Sequence, residues 1–204
     1  NDFSIFPGID AGYQLGAFAE IFANMGKTYR TPSFTELYYN SPANIGNADL
    51  KAEEATSFEL GYRYKKEKYS FSITGFRRNA TNLIDWVRKS DTLAWKVVNL
   101  TRVNTTGLEA ELKLFPQKIF NKNTFLQGVY INYTYLDANQ LTSEYLSKNV
   151  LDYLQHQLIA SVFYHITPKL HQSWKIRFED RIGYEAHTLF DSRISYNTEK
   201  TRFY

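Results

Sequence analysis

The chain has 204 residues, with 24 Lys and Arg against 21 Asp and Glu, 16 Tyr, 15 Phe, 3 Trp, 1 Met and no Cys. Without cysteine there is no disulfide scaffold, no thiolate zinc or iron–sulfur site and no Cys nucleophile. The 43% hydrophobic content excludes wholesale disorder, and a net charge of +3 from scattered basic residues makes nucleic acid an unexpected partner.

An aromatic fraction of 17% points to strands, because these side chains fit a pleated, half-buried surface. The mean hydropathy of −0.45 and the absence of any 18-residue apolar run argue against helical membrane spans. One membrane architecture stays compatible, the β-barrel, whose alternating strands average to polar. Asn1–Phe6 has neither the basic nor the apolar part of a signal peptide. The chain is therefore expected to be a piece of something longer.

Period-two alternation sets out the elements in order. Strands are expected at 3–13 and 17–30, joined at Gln14–Gly16. In the third, 55–66, Phe58, Leu60, Tyr62 and Tyr64 alternate with Ser57, Glu59, Gly61 and Arg63. The fourth, 69–80, sets Tyr69, Phe71 and Ile73 against Ser70, Ser72 and Thr74. In the fifth, 98–115, Leu108, Ala110, Leu112 and Leu114 face away from Glu109, Glu111 and Lys113. The sixth, 124–136, carries Val129, Ile131, Tyr133 and Tyr135, and the seventh, 154–166, carries Leu158, Ala160, Val162 and Tyr164. In the eighth, 172–183, Trp174, Ile176 and Phe178 alternate with Lys175, Arg177, Glu179 and Arg181. A ninth spans 186–197 and a tenth starts at Thr201.

Most of these strands run about 11 to 14 residues, against a globular mode of about 5 to 6 and a membrane-crossing need of about 9 to 11. Short connections follow the odd-numbered strands. Long ones follow the second, fourth and sixth, at Thr31–Glu54, Thr81–Val97 and Asp137–Tyr153, with the eighth, around Gly183–Glu185, the exception. Short turns on one rim and long loops on the other are the pattern of a membrane barrel. The expected fold is all-β: a partial antiparallel transmembrane β-barrel of about nine to ten strands. In Ser33-Phe34-Thr35-Glu36, after Pro32, the spacing is that of a capping box and predicts a short helical turn at the mouth.

Three motifs carry a family resemblance. Lys27-Thr28-Tyr29-Arg30-Thr31-Pro32-Ser33-Phe34-Thr35-Glu36-Leu37-Tyr38-Tyr39 resembles the "F-R-A-P-S-F-x-E-L-Y" signature of TonB-dependent outer-membrane receptors. Gly46-Asn47-Ala48-Asp49-Leu50-Lys51-Ala52-Glu53 with Phe58-Glu59-Leu60-Gly61-Tyr62 resembles that family's "G-N-P-x-L-K-P-E" continuation, with Ala48 and Ala52 where the family has Pro. Asn104-Thr105-Thr106-Gly107-Leu108-Glu109-Ala110-Glu111 is similar to its "N-x-x-x-x-G-x-E-x-E" strand. The vitamin B12 and siderophore receptor branch is the most similar. The resemblance implies a bacterial outer-membrane receptor whose barrel of about 22 strands encloses a plug. On it, residues 1–204 are a late part of the barrel domain, with the plug, the TonB-contact segment and the final strands outside the segment. The implied partners are a bulky nutrient such as a ferric siderophore or corrinoid, outer-membrane lipid, and the TonB complex through the plug.

No catalytic signature is present: no G-x-S-x-G, no phosphate-binding loop, no H-E-x-x-H. No enzyme activity, cofactor or metal site is expected, although Asp137, Glu144 and Asp152 share one loop with hard-cation ligands. Tyr38, Tyr39, Trp86, Trp95, Tyr145 and Tyr153 fall in the expected long loops, where flat rings can stack on a bulky ligand. Glu109, Glu111, Lys113, Lys175, Arg177, Glu179 and Arg181 are expected to face the lumen. Tyr64, Tyr69, Tyr133, Tyr135, Tyr164 and Trp174 are expected in interfacial girdles. Two other readings stay open from the residues alone: a complete small barrel of about eight strands with a structural or adhesive role, and a soluble β-sandwich carbohydrate-binding module.

Overall fold

The computed structural model describes residues 5–121, 123–138, 146–148, 154–197 and 202–203. The first hairpin is β1 (Gly8–Leu15) and β2 (Ala19–Arg30). A short helix α1 (Phe34–Tyr38) and two-residue strands β3 (Asn40–Ser41) and β4 (Asn44–Ile45) lead to β5 (Glu53–Lys65), β6 (Tyr69–Arg88) and β7 (Trp95–Leu114). Helix α2 (Pro116–Phe120) precedes β8 (Leu126–Ala138) and β9 (Leu146–Ser147). The chain continues through β10 (Leu154–His165), β11 (Leu170–Arg181), β12 (His187–Asn197) and β13 (Arg202–Phe203). One sheet contains all thirteen strands, in the order β1-β2-β5-β6-β7-β8-β10-β11-β12-β13, with β3, β4 and β9 off this path. The ten strands of the path form an antiparallel meander with β1 and β13 at opposite edges, so the sheet is an open part of a barrel wall.

Register aligns the apolar stripes into one continuous face. Ile21 pairs with Tyr62, Tyr62 with Ile73, Ile73 with Ala110, Ala110 with Tyr133, Tyr133 with Leu158 and Leu158 with Phe178. Cross-strand partners point to the same side of a sheet. Leu60 and Phe58 are half exposed on this side and Phe190 is 61% exposed, an apolar expanse larger than water-facing surfaces carry. The opposite face is polar, with Glu20 paired to Arg63 at 3.1 Å and Asn24 donating to Glu59 at 2.8 Å.

Aromatic rings punctuate this polar face. A Cβ on Gly61 would lie 2.2 Å from Cζ of Phe22, and one on Gly107 would lie 2.3 Å from Cζ of Phe76. Each glycine gives up its side chain so that a ring from the next strand can cross over it.

Apart from Ala19, the buried core sits at one end of the sheet. Ala55, Ala80, Ile84, Val87, Val97, Leu100 and Val103 are buried, and all lie in the long-loop halves of β5, β6 and β7. This corrects one expected element. Residues 81–97 are not a long loop: β6 continues to Arg88 and β7 begins at Trp95, leaving only 89–94 as the connection. Two things hide the extension in the sequence. Asn82 takes a left-handed φ of 54°, and beyond it residues from both sides of the hairpin are buried, so alternation disappears. The expected start of the first strand at residue 3 lies outside the described residues, of which 5–7 precede β1 at Gly8; α2 occupies the expected turn after the fifth strand, with Pro116 in its first turn and Asn121 at φ 53° closing it.

Candidate functional site

The long-loop rim is fastened at two places. At the first, Arg30 ends β2 and faces two carboxylates. Its Nε donates to Glu53 Oε2 at 2.9 Å and its Nη2 to Glu53 Oε1 at 2.6 Å, while Nη1 reaches Glu36 at 3.1 Å. Glu36 also accepts from the Ser33 amide at 2.7 Å, and the Ser33 hydroxyl accepts from the Glu36 amide, completing the expected capping box of α1. Glu53 further accepts from the Ile84 amide at 2.7 Å, tying β5 to the β6 extension. Burial opposes ionisation of Glu36 and Glu53, but the Arg30 hydrogen bonds and these amides outweigh it and hold both below the usual carboxylate range. The same bonds, to Glu53 above all, raise Arg30 above the ordinary guanidinium value.

At the second place, two loop segments meet on the β6–β7 tip. Strand β4 runs parallel to the start of β7, with Asn44 beside Trp95, and the Trp95 amide donates to Ala43 O at 2.9 Å. Strand β9 pairs with the end of β6, Val87 beside Ser147, and the Lys148 amide donates to Trp86 O at 3.0 Å. Asp85, 1% exposed, accepts from the Trp86 amide at 2.8 Å and from the Ser147 hydroxyl. The Lys148 ammonium lies 5.3 Å from the Trp86 ring and 4.8 Å from the Trp95 ring, and donates to Asn44 Oδ1 at 3.0 Å. The Arg88 guanidinium covers Trp95 at 4.4 Å. Two half-buried indoles are thus bridged by one cation and capped by another.

A family model described as TonB dependent receptor-like, beta-barrel matches residues 1–203. The chain belongs to the TonB-dependent receptor β-barrel family. Among curated relatives, the vitamin B12 transporter BtuB of Vibrio vulnificus (strain YJ016) is 30% identical over 94 residues, 46% of this chain and 15% of that protein. BtuB of Photobacterium profundum is 25% identical over 129 residues, 62% of this chain and 20% of that protein. Among solved structures, the siderophore receptor PirA from Pseudomonas aeruginosa superposes with a TM-score of 0.68 at 16% identity, over 94% of this chain and 33% of that one. The copper transporter OprC gives 0.71 at 14% identity, over 95% and 31%. The chain thus spans about a third of those solved structures and a fifth or less of these two curated relatives. At such identities the superpositions show the fold. These relatives are receptors and transporters.

Within this receptor fold the expected residues divide as follows. Trp86 and Trp95 stand on strand extensions rather than in a loop, and Lys148 brings them together. Tyr38 ends α1 and Tyr39 follows it, both about half exposed, with Phe34 packed on Tyr38 at 5.0 Å. Tyr145 and Tyr153 lie outside the described residues, as do Glu144 and Asp152 of the candidate cation loop. Glu109, Glu111, Lys113, Lys175, Arg177 and Glu179 occupy the sheet face opposite the apolar stripe, by register with Thr74, Ser72, Ser70, Ser161, Ile159 and Gln157. Lys113 pairs with Glu111 at 2.7 Å. Glu179 gathers Arg181 at 3.5 Å, His187 at 3.7 Å and Arg177 at 3.8 Å, and accepts from Gln157 at 3.1 Å. Of the expected girdle rings, Tyr64 stacks on Tyr69 at 5.6 Å, and Trp174 donates to the Tyr164 hydroxyl at 2.7 Å. Asp85, Arg88, Lys148 and Glu53 are rim residues that the sequence reading did not single out. Glu53, Asp85 and Lys148 draw partners from distant segments, whereas Arg88 meets Asp91 and Trp95 of its own hairpin, and only the run Ile84-Asp85-Trp86-Val87, an acid among apolar residues, hints at a buried carboxylate.

Proposed function

We propose that this segment is wall and outer rim of a bacterial outer-membrane receptor that takes up a bulky, scarce nutrient, a ferric siderophore or a corrinoid, with energy delivered by TonB. The observation that carries this reading is the pairing of a lipid-suited apolar face with a rim whose loops are fastened into one aromatic and cationic surface. The relatives that bear names of vitamin B12 transporters and siderophore receptors support the substrate class. The rim offers indole and phenol rings with hydrogen-bonding groups, and the only methionine, Met25, belongs to the apolar face. Flat rings with flanking hydrogen-bonding groups suit a large chelate or corrinoid.

In this reading Tyr38, Tyr39, Trp86 and Trp95, with Tyr145 and Tyr153, contact the ligand. The charged face lines the lumen, where Glu111–Lys113 and the Glu179 cluster meet the plug. The plug, the TonB-contact segment and the closing strands belong to the rest of the receptor, so residues 1–204 alone do not transport. The test is ligand binding to cells expressing the complete gene, using cyanocobalamin and a panel of ferric siderophores. Trp86→Ala with Trp95→Ala should weaken the bound ligand at least about tenfold, since a base- or ring-sized stacking contact contributes about 1–3 kcal/mol. Unchanged affinity for every ligand that the parent binds would remove the rim from the capture step.

A further inference from the structure

We propose that the apolar face carries, at its long-loop end, a site for the phosphorylated headgroup of an outer-leaflet lipid. Along β6 the stripe runs from Ile73 through Gly75 to Arg77 and Asn79, residues that share one face of the strand. At Arg77 its chemistry changes. Lys27, Arg77 and Arg102 line a groove of about 510 Å³ together with Thr56, Asn79 and Asn104. Register puts all six on the same side as Leu60 and Leu108: Lys27 pairs with Thr56, Thr56 with Asn79 and Asn79 with Asn104. The groove therefore faces away from the charged face proposed for the lumen.

Charge and shape select the occupant. The acids near the groove are Glu54, paired to Lys27 at 2.6 Å, and Asp137, two strands from Arg77 along the row Arg77–Thr106–Asp137. Among the described residues neither Arg77 nor Arg102 has a carboxylate partner, and Arg77 spends only its Nε on a protein acceptor, Asn79 at 3.3 Å. Two exposed guanidinium forks flanked by Thr and Asn donors match a phosphate ester. Immediately toward the middle of the sheet, Gly75 stands between Leu60 and Leu108, and a Cβ there would meet no atom within 4 Å. This notch in the apolar stripe continues from the cationic groove and suits an acyl chain attached to the phosphate it holds. A free anion would have no use for the notch, and the single carboxylate of a fatty acid would leave one of the two arginines without an anion.

The inference rests on the outer-membrane reading, so its test scores insertion separately. The receptor is expressed from its complete gene, and insertion is checked by fractionation and heat-modifiable migration. Native mass spectrometry then measures retention of lipid A against the same lipid A stripped of its phosphates, with inorganic phosphate as competitor. The parent should retain the phosphorylated lipid at least about tenfold better, a difference of about 1.4 kcal/mol. Arg77→Gln with Arg102→Gln should abolish that preference while Lys175→Gln, on the other face, keeps it. Equal retention of both lipids by inserted parent, a double variant that keeps the preference, or displacement by millimolar phosphate overturns this site alone. Failure to reach the outer membrane overturns the receptor reading and the site together.

Discussion

Removing the charge from Arg30 while keeping its stem, as in Arg30→Met, leaves Glu53 and Glu36 facing each other with 12% and 15% of their side chains exposed. Breaking a fully buried pair costs about 3–5 kcal/mol and a single hydrogen bond to a charged group about 1.5–3. Arg30 is itself 45% exposed, so water replaces part of what is lost. A local penalty of about 2–3 kcal/mol follows. It should fall on the segment that the cluster fastens rather than on the wall. The reporters are the amides of Leu37, Tyr39, Gly46 and Asn47, which donate to Ser33, Thr35, Tyr39 and Glu36 carbonyls. Their hydrogen exchange should quicken by about 30- to 150-fold, the free energy read through a local-opening equilibrium. Amides in β10 and β11 should keep their rates. Protection of the four amides within about threefold of the parent would refute the reasoning. So would equal acceleration in β10 and β11, which would mean that Arg30 supports the whole sheet.

The same cluster predicts a pH response. Glu36 and Glu53 titrate below their unfolded values, so their contribution is complete above the ordinary glutamate pKa of about 4.3 and fades as pH falls through the lower folded values. Rim amide exchange measured between neutral pH and about pH 3, corrected for intrinsic rates, should show this loss in the parent and a much smaller one in Arg30→Met. Gly107→Val should destabilise the receptor by about 1–3 kcal/mol in urea titrations, because the new side chain collides with Phe76 and Leu136. Combining it with Phe76→Ala should cost less than the two changes summed, and strict additivity would argue against the collision. Asp85→Ala removes the acceptor of the Ser147 hydroxyl and the Trp86 amide, at about 1–3 kcal/mol. Trypsin should then cut faster after Lys148, and an unaltered cleavage rate would show that β9 docks without Asp85.

The wall was legible because its two faces differ. Strands expected at 55–66, 154–166 and 186–197 are found at Glu53–Lys65, Leu154–His165 and His187–Asn197. Each alternates, at least in part, between a stripe exposed on one side and polar groups on the other. The capping box of α1 was equally visible, since Ser33 and Glu36 are three residues apart and need no distant partner. The rim was not. Around Ile84, Val87 and Val97 both sides of the hairpin are covered, so the two-residue period vanishes and the stretch reads as loop. Its partners also arrive from afar: Ser147 is 62 residues from Asp85, and Asn44 is 104 from Lys148. No local pattern announces a two-residue strand such as β4 or β9, whose existence depends on the edge it joins.

That division puts two sets of substitution rules into one receptor segment. Positions such as Leu60 or Ile176, on a face that lipid would cover, should accept almost any apolar side chain, because a fluid solvent reshapes itself around them. Val97, buried on the same side of the hairpin as Ile84, has no such freedom and should accept only a side chain of its own volume. Sequence drift in the wall should be broad but confined to apolar types. In the rim core it should be narrow, although loops of this kind are usually treated as the variable part of a barrel.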